Sequence, residues 1–444
     1  MREVARRSRG AGPASSDPAR SLDLLLGVDG QELLGALAGE GRGDPGPGTG
    51  GGRGDPGPRT GGERVDLGPR AGGDRLDPEA ELALGERLRA RFAADLIAAA
   101  LAQHDLRLRA RAKFSRAERL YLTRDGLEQA SSELVARHRA ARYAGFDRVA
   151  DLCSGIGGDL LALAAGRAAL AVDLDPIHLR MALRNAREYG AEELAGVCAD
   201  VRELRLDAFA AAFVDPARRA AGRRLPPGAS EPPLAWCVAL AGRVEAVGVK
   251  AAPGLPLEPV PAGWEVELIA DRRELKEAVL WSPALATAAR RATVLPGGQG
   301  PVGQGPVSYS LVTEAGREVR CAPPGAFLLD PNPAVTRAGL VEELARMLDA
   351  WKIDRQVGFL SADRPLETPF GRLLVVQESM PWGLKRLRAA LRSRGVGAVQ
   401  IRKRGSAVDV EDLRRRLDLR GDQQATVVLT RVLDRPWALV CREP

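Results

Sequence analysis

The stretch VADLCSGIGGDLLALAA, Val149 to Ala165, passes from an apolar strand ending in an acid, through a turn holding Gly155, Gly157 and Gly158, into an apolar helix. A strand, a glycine turn and a helix N-terminus form a nucleotide-binding corner. Backbone N–H groups and the helix dipole face a ligand there, and glycine lets it come close. A dinucleotide fingerprint needs a third glycine at position 160, where this chain has Leu160. It carries an acid instead, Asp151, four residues before the first glycine. ALAVDLDPIHL then places Asp173 at the end of a second strand, 18 residues after Gly155, where a carboxylate can accept both hydroxyls of a ribose. A third strand ends in VCADVRE, which sets Asp200 where a purine amino group could bind. A fourth ends in FVDPARR, with Asp215 and Pro216 at the carboxyl edge of the sheet, the edge where open α/β sheets bind their ligands.

Outward from this corner the pattern stays α/β. Strands are expected at 148–152, 169–174, 195–199, 211–214 and 245–250, with helices between the first four. WEVELIA (264–270), EAVLWS (277–282) and RATVLP (291–296) add later strands. The fold class expected is a Rossmann-like, doubly wound sheet preceded by a helical segment and followed by a small α/β domain. Four regions follow. Residues 1–77 are expected to be largely disordered, apart from one or two short helices at 21–39. GRGDPGPGTGG, GRGDPGPRTGG and ERVDLGPRAGG there form 11-residue repeats over 41–73, too rich in Gly and Pro to bury a core. Residues 78–145 have apolar residues at helical spacing, 146–365 form the doubly wound domain, and 366–444 read as strand, helix, strand, helix, strand, strand.

The net charge of +7 invites a polyanionic partner. It is concentrated late in the chain: 381–421 holds 12 Lys and Arg against 4 Asp and Glu. Arg402, Lys403 and Arg404 stand consecutively within it, a phosphate-tracking cluster by charge. Five scattered cysteines without a CxxC pair suit a reducing cytoplasm, and neither they nor three scattered histidines have metal-ligand spacing, so no metal is expected. With no apolar run of about 18 residues, no membrane span is expected.

One acid after each of four successive strands, with glycines at the first turn, resembles the class I methyltransferases that use S-adenosylmethionine. The resemblance implies that Asp151, Cys153, Gly155, Gly157 and Gly158 surround the methionine part of the cofactor. Asp173 would hold its ribose, Asp200 and Val201 would meet its adenine, and Asp215 with Pro216 would face the methyl group. VDLDPIHLRMALRNAREYG, with Asn185, Ala186, Tyr189 and Gly190, is similar to the second motif of trimethylguanosine synthase-like RNA methyltransferases. ASSELVARH stands where that group has a Thr-Pro-Glu segment folded over the cofactor, which makes Ser131 a contact; Ser132 replaces the proline. LTRDGLEQA (122–130), DPARR (215–219), VKAAPG (249–254) and the strand–helix order of the last module resemble a bacterial methyltransferase family with a C-terminal THUMP-like domain. RNA is the partner this implies.

The fourth motif departs from the Asp/Asn-Pro-Pro-aromatic pattern of many amino-group methyltransferases: Ala217 and Arg218 follow Pro216. No cysteine nucleophile lies near it, so a covalent cytosine mechanism is not expected, and Cys153 reads as a small packing residue of the turn. Arg218 and Arg219 at the mouth can clamp a phosphate bidentately. The function expected is methyl transfer to a base nitrogen of structured RNA, tRNA or rRNA. Small-molecule or protein methylation, and a non-catalytic RNA-binding factor with a kept cofactor corner, are the competing readings.

Overall fold

The computed structural model describes residues 17–38, 86, 88–217, 219–220, 223–224, 226, 229–256, 260–297 and 307–444. The repeats at 41–73 and Arg218 lie outside the described residues.

Helices α1 (Pro18–Leu26), α2 (Val28–Ala38) and α3 (Ala94–Ala110) pack on one another. The helical run expected to Tyr143 is then interrupted. A segment of turns, including a 3-10 turn at Ala117–Arg119, crosses to α4 (Arg124–Gln129) and α5 (Glu133–Ala140), separated by Ala130–Ser132. Side chains hold that segment in place, among them Arg107, whose Nε donates to the Leu120 carbonyl at 2.9 Å.

The first sheet is built from β1 (Arg148–Leu152), β2 (Ala168–Asp173), β3 (Leu194–Cys198), β4 (Ala211–Val214), β5 (Ala246–Ala251), β6 (Glu265–Asp271), β7 (Glu274–Trp281), β8 (Arg290–Leu295) and β9 (Tyr309–Val312). Its order is β9-β8-β6-β7-β5-β4-β1-β2-β3. Strands β1 to β5 are mutually parallel, and β4 and β5 are buried at every position, as a strand covered on both faces must be. β7 runs antiparallel between β5 and β6, and β8 lies parallel to β6. The carboxyl ends of β5, β6 and β8 therefore emerge on the same edge as those of β1 to β4. Chain order reverses between β1 and β4, which opens a crevice at that edge.

The expected strands are all present, with ends moved by a few residues. The expected helices are not. After the glycine turn α6 (Leu160–Leu163) is a single turn, α7 (Pro176–Glu188) is complete, and the β3–β4 connection holds only a 3-10 turn, Val201–Glu203. α7 begins as its sequence dictates. Pro176 has the fixed φ that suits a first turn, and Asp175 caps it by accepting from the Ile177 N–H at 2.8 Å. α8 (Leu234–Ala239) lies before β5.

α5 is tied to the sheet by buried charge. Glu267 on β6 accepts from Trp281 Nε1 at 2.8 Å, and His138 Nε2 lies 2.7 Å from its other oxygen. Burial alone would raise the Glu267 pKa, but His138, then Arg142 and Thr293, bring it down to about 2.

The second sheet contains β10 (Phe327–Pro331), β11 (Trp351–Lys352), β12 (Leu360–Ala362), β13 (Gly371–Pro381), β14 (Val396–Lys403), β15 (Gln423–Val432) and β16 (Arg435–Arg442), ordered β11-β12-β10-β13-β16-β15-β14. β13 onward follows the strand and helix order expected for the last module, with α11 (Leu384–Arg392) and α12 (Val410–Leu417) on either side of β14. β10 pairs with β13, so this sheet takes in strands well before residue 366. Helices α9 (Pro333–Ala338) and α10 (Val341–Leu348) follow β10, and α9 packs on β6 and β8 of the first sheet. Leu329, Val335, Leu344 and Trp351 accordingly share one apolar core with Val266 and Leu268.

Candidate active site

The glycine turn after β1 is fastened to β2 through Asp173. Its two oxygens accept from the Gly155 N–H at 2.7 Å and the Asp175 N–H at 2.9 Å. Cys153 and Gly155 both have positive φ, and the space beside Gly155 is open, so a ligand can lie against its backbone. A Cβ on Gly157 would stand 2.8 Å from Ala182 Cα, so only glycine lets the turn lie on α7. Burial, then the charges of Asp173 and Asp215, push the Cys153 thiol pKa up, which makes it a packing group and not a nucleophile.

The segment before α5 closes over this turn. Ala130 and the Ser131 N–H lie beside Gly158, where a Cβ would be 3.0 Å from Ala130 Cβ. Lys113 Nζ holds the segment by donating to the carbonyls of Leu127 at 2.7 Å and Ala130 at 2.9 Å. Burial, then Lys250 and Lys276, lower the Lys113 pKa to about 8. Tyr189 at the end of α7 donates to Glu133 at 2.9 Å, while Asn185 donates to the carbonyls of Tyr121 and Ile156. The residues carrying the motif resemblance are thus the bracket that fixes the lid segment to the glycine turn.

Inside the corner both carboxylate oxygens of Asp151, the hydroxyl of Ser131 and the hydroxyl of Ser154 are buried without a hydrogen-bond partner among the described residues. Buried polar groups are almost always paired, so this unmatched set marks where a polar ligand belongs. Burial, then the charges of Asp159 and Asp215, hold the Asp151 carboxyl well above the usual carboxylate range.

Asp215 follows β4, and its N–H donates to the Leu152 carbonyl at 3.1 Å. Its Oδ2 accepts from Lys250 Nζ at 2.7 Å, whereas Oδ1 has no partner among the described residues. Lys250 is buried at the end of β5. Burial opposes its charge, but Asp215, then Asp159 and Glu277, raise its pKa. Beneath the turn the fully buried Arg139 bridges Asp159 and Glu277 and stacks over Phe213 at 5.0 Å. Sequence reading missed Lys250, Arg139, Asp159 and Glu277 as members of the site. Lys250 stood within the quoted VKAAPG signature, and no pattern signalled the others.

Asp151, Cys153, Gly155, Gly157, Gly158, Asp173, Ser131, Asp215 and Pro216 come together at the carboxyl edge. Asp200 is turned to its own loop, capping the 3-10 turn by accepting from the Arg202 N–H at 2.9 Å and pairing with the Arg202 guanidinium. Val201 is buried in the core below. The Arg219 backbone pairs with Arg224 in a two-residue bridge. Arg402 and Arg404 are engaged by Asp330 on β10 at 2.7 and 3.0 Å, while Lys403 Nζ donates to the Val408 carbonyl. Alternate residues of a strand face opposite sides, which splits the basic trio. Among the described residues no group of three or more His, Cys, Asp or Glu is placed to hold a metal, and no helix is long and apolar enough to cross a membrane.

A parallel sheet of this order with an acid at the end of each of β1 to β4 forms a nucleotide-binding corner, and comparison with known proteins says which. Residues 146–219 match the RNA cap guanine-N2 methyltransferase family, residues 371–443 match a THUMP domain-like family, and residues 71–111 match a domain of unknown function. Two S-adenosylmethionine-dependent methyltransferases of Mycobacterium tuberculosis, from strains H37Rv and CDC 1551, are each 37% identical over 332 residues, covering 72% of this chain and 88% of the relative. The chain belongs to the S-adenosylmethionine-dependent methyltransferases, and S-adenosylmethionine is its cofactor. A crystal structure assigned as a methyltransferase, from Porphyromonas gingivalis W83, shares the fold with a TM-score of 0.65 at 19% identity, over 83% of this chain and 99% of that one.

Proposed function

We propose that this enzyme methylates a base nitrogen of structured RNA, tRNA or rRNA, at the carboxyl edge between β1 and β4. The observation that carries the site assignment is the unpaired, fully buried Asp151 carboxylate beside an open glycine turn and across from Asp215. The match of residues 146–219 to a guanine-N2 methyltransferase family and of 371–443 to a THUMP-like domain supports RNA, and an exocyclic amine as acceptor.

The residues fit the cofactor. Asp151 would take its ammonium, with Ser131 and Ser154 supplying hydroxyls to its methionine end. Asp173 keeps lone pairs for ribose hydroxyls after accepting its two backbone N–H groups. Asp200 and Val201 would border the adenine, Asp200 once its in-loop pair with Arg202 opens. Bound cofactor supplies a methyl group on an already activated sulfonium, so the protein has mainly to align an acceptor. Asp215 Oδ1 orients the acceptor amine and takes the proton it gives up, while Lys250 fixes Oδ2. Pro216 follows Asp215 at the carboxyl edge, and Arg218 and Arg219, next in sequence, would meet substrate phosphate.

Asp151 makes the cofactor step pH-dependent. A carboxyl whose pKa is raised by folding binds its extra proton only in the folded state, so the cofactor-free protein loses stability as pH rises from about 4 through the folded pKa. An ammonium on Asp151 offsets that loss. Cofactor affinity should therefore rise over the same window, and binding should expel a proton. Asp151→Asn is expected to weaken binding about tenfold to a hundredfold and to flatten both dependences. Calorimetric titration in two buffers of different ionisation enthalpy measures the proton. An Asn variant with the wild-type pH dependence would contradict the assignment.

The substrate is tested by incubating the protein with tritiated S-adenosylmethionine and total RNA from a strain deleted for the gene. Label should enter RNA of a defined size. Cofactor binding without label in RNA would move the substrate to a protein or small molecule.

A further inference from the structure

The carboxyl edge of the first sheet continues past Asp215 as a row of basic side chains, Lys250 paired with Asp215 and Lys276 with Glu274. Lys250 is the penultimate residue of β5, and its charge is felt by Lys113. Ala251, the last residue of β5, pairs with Ala278 of β7, so Lys276 lies two positions beyond the end of β5, over the edge. Lys113, Lys250 and Lys276 are three of only six lysines in the chain. Next along the edge is the β6–β7 turn, with Arg272 in the left-handed region and Arg273 after it. That turn is docked on the second sheet: the Arg272 carbonyl accepts from Asn332 Nδ2, and Arg273 pairs with Asp330 at 3.0 Å.

A cleft of about 500 Å³ opens at this seam, lined by Arg272, Arg273, Tyr309, Asn332, Arg372 and Glu443 among others. Arg273, Arg402 and Arg404 converge on Asp330, with Arg372 beside them, four guanidinium groups around one buried carboxylate. Glu443, which lines the cleft, pairs with Arg372 from an exposed position. Burial, helped by the charges of Arg402, Arg372 and Arg404 against that of Asp330, lowers the Arg273 pKa. Three guanidinium groups share the one Asp330 carboxylate and the fourth is held only by an exposed glutamate, so a concave surface of crowded, pre-oriented guanidinium groups matches the geometry of a phosphate.

We propose that this seam is a phosphate-binding subsite that grips the backbone of the RNA substrate away from the methylated base. It rests on the RNA reading above. Three strand spacings separate β4 from β6, so the seam lies about 14 Å across the sheet from Asp215, with Lys276 between them. In this arrangement Asp330 fixes Arg402 and Arg404 in place behind Arg273 and Arg372, and the last two meet the phosphate. The resident Glu443 is displaced as the RNA enters.

The test uses the full chain and fluorescein-labelled unfractionated tRNA, with anisotropy read across a salt series. Arg273→Gln/Arg372→Gln should raise Kd about tenfold at low salt and lower the slope of log K against log salt by about 2; Arg372→Gln alone should lower it by about 1. Arg372→Gln removes the exposed Glu443 pair and leaves the three ion pairs of Asp330 in place, so it keeps the test open if the double variant is unstable, and cofactor affinity reports whether each variant is folded. Wild-type Kd and slope in folded variants would overturn the seam and leave the RNA reading standing. Failure of the wild-type protein to bind either this tRNA or labelled ribosomal RNA, while it still binds S-adenosylmethionine, would overturn both.

Discussion

The Asp215→Asn enzyme is expected to bind S-adenosylmethionine with near wild-type affinity and to transfer methyl groups about a hundredfold to ten-thousandfold more slowly. The amide keeps the shape of the carboxylate and can still accept from Lys250 through one oxygen. It cannot take a proton from the acceptor nitrogen, and it presents a donor where that nitrogen's own donor must go. Single-turnover rates with saturating cofactor isolate this step from binding. A rate within a factor of a few of wild type would mean that Asp215 neither orients nor deprotonates the acceptor. Alanine is the poorer test, because it strands the buried Lys250 charge and confuses stability with chemistry.

The second large effect is on stability. Arg139 is 1% exposed, and its guanidinium is the shared counterion of Asp159 and Glu277. Arg139→Ala leaves two buried carboxylates uncompensated, which is expected to cost about 3–5 kcal/mol. That is a large share of the roughly 5–15 kcal/mol of a typical domain. The loss should be read as a lower urea midpoint with an unchanged slope, and cofactor affinity should fall with it, because Asp159 begins the helix after the glycine turn. Combining Arg139→Met with Asp159→Asn and Glu277→Gln should recover much of the loss, since no charge is then buried alone. A shift below about 1 kcal/mol in the single variant would contradict this account of the network.

The clustering of the candidate site residues was legible because each of its parts is local. Asp151, the glycines, Asp173 and Asp215 each stand at a strand end that periodicity marks, and a parallel sheet brings successive strand ends to one edge without further information. The Ser131 segment was legible only through motif resemblance. What carries its weight is Glu133 and Tyr189, 56 positions apart, joined by one hydrogen bond. Arg139 and Glu277 are 138 positions apart, and nothing in either neighbourhood announces the other.

The basic run Arg402–Arg404 shows the opposite failure. By composition it is a solvent-facing phosphate surface, yet Arg402 finds a buried partner 72 positions earlier in Asp330. Asp330 itself sits in β10, a short strand whose five residues carry no period to read. Missing that strand is also why the second sheet was expected to start near residue 366. Asp200 shows how one residue carries two readings: an acid after a strand is equally a cap for the turn that follows, and in this structure it caps.

The most direct test of the account is mass spectrometry of nucleosides from gene-deleted RNA, incubated with S-adenosylmethionine and either the wild-type or the Asp215→Asn enzyme. The account predicts that a nitrogen-methylated nucleoside appears with the wild-type enzyme and not with the variant. No new methylated nucleoside from wild-type enzyme that binds its cofactor, or equal formation by both enzymes, would contradict it.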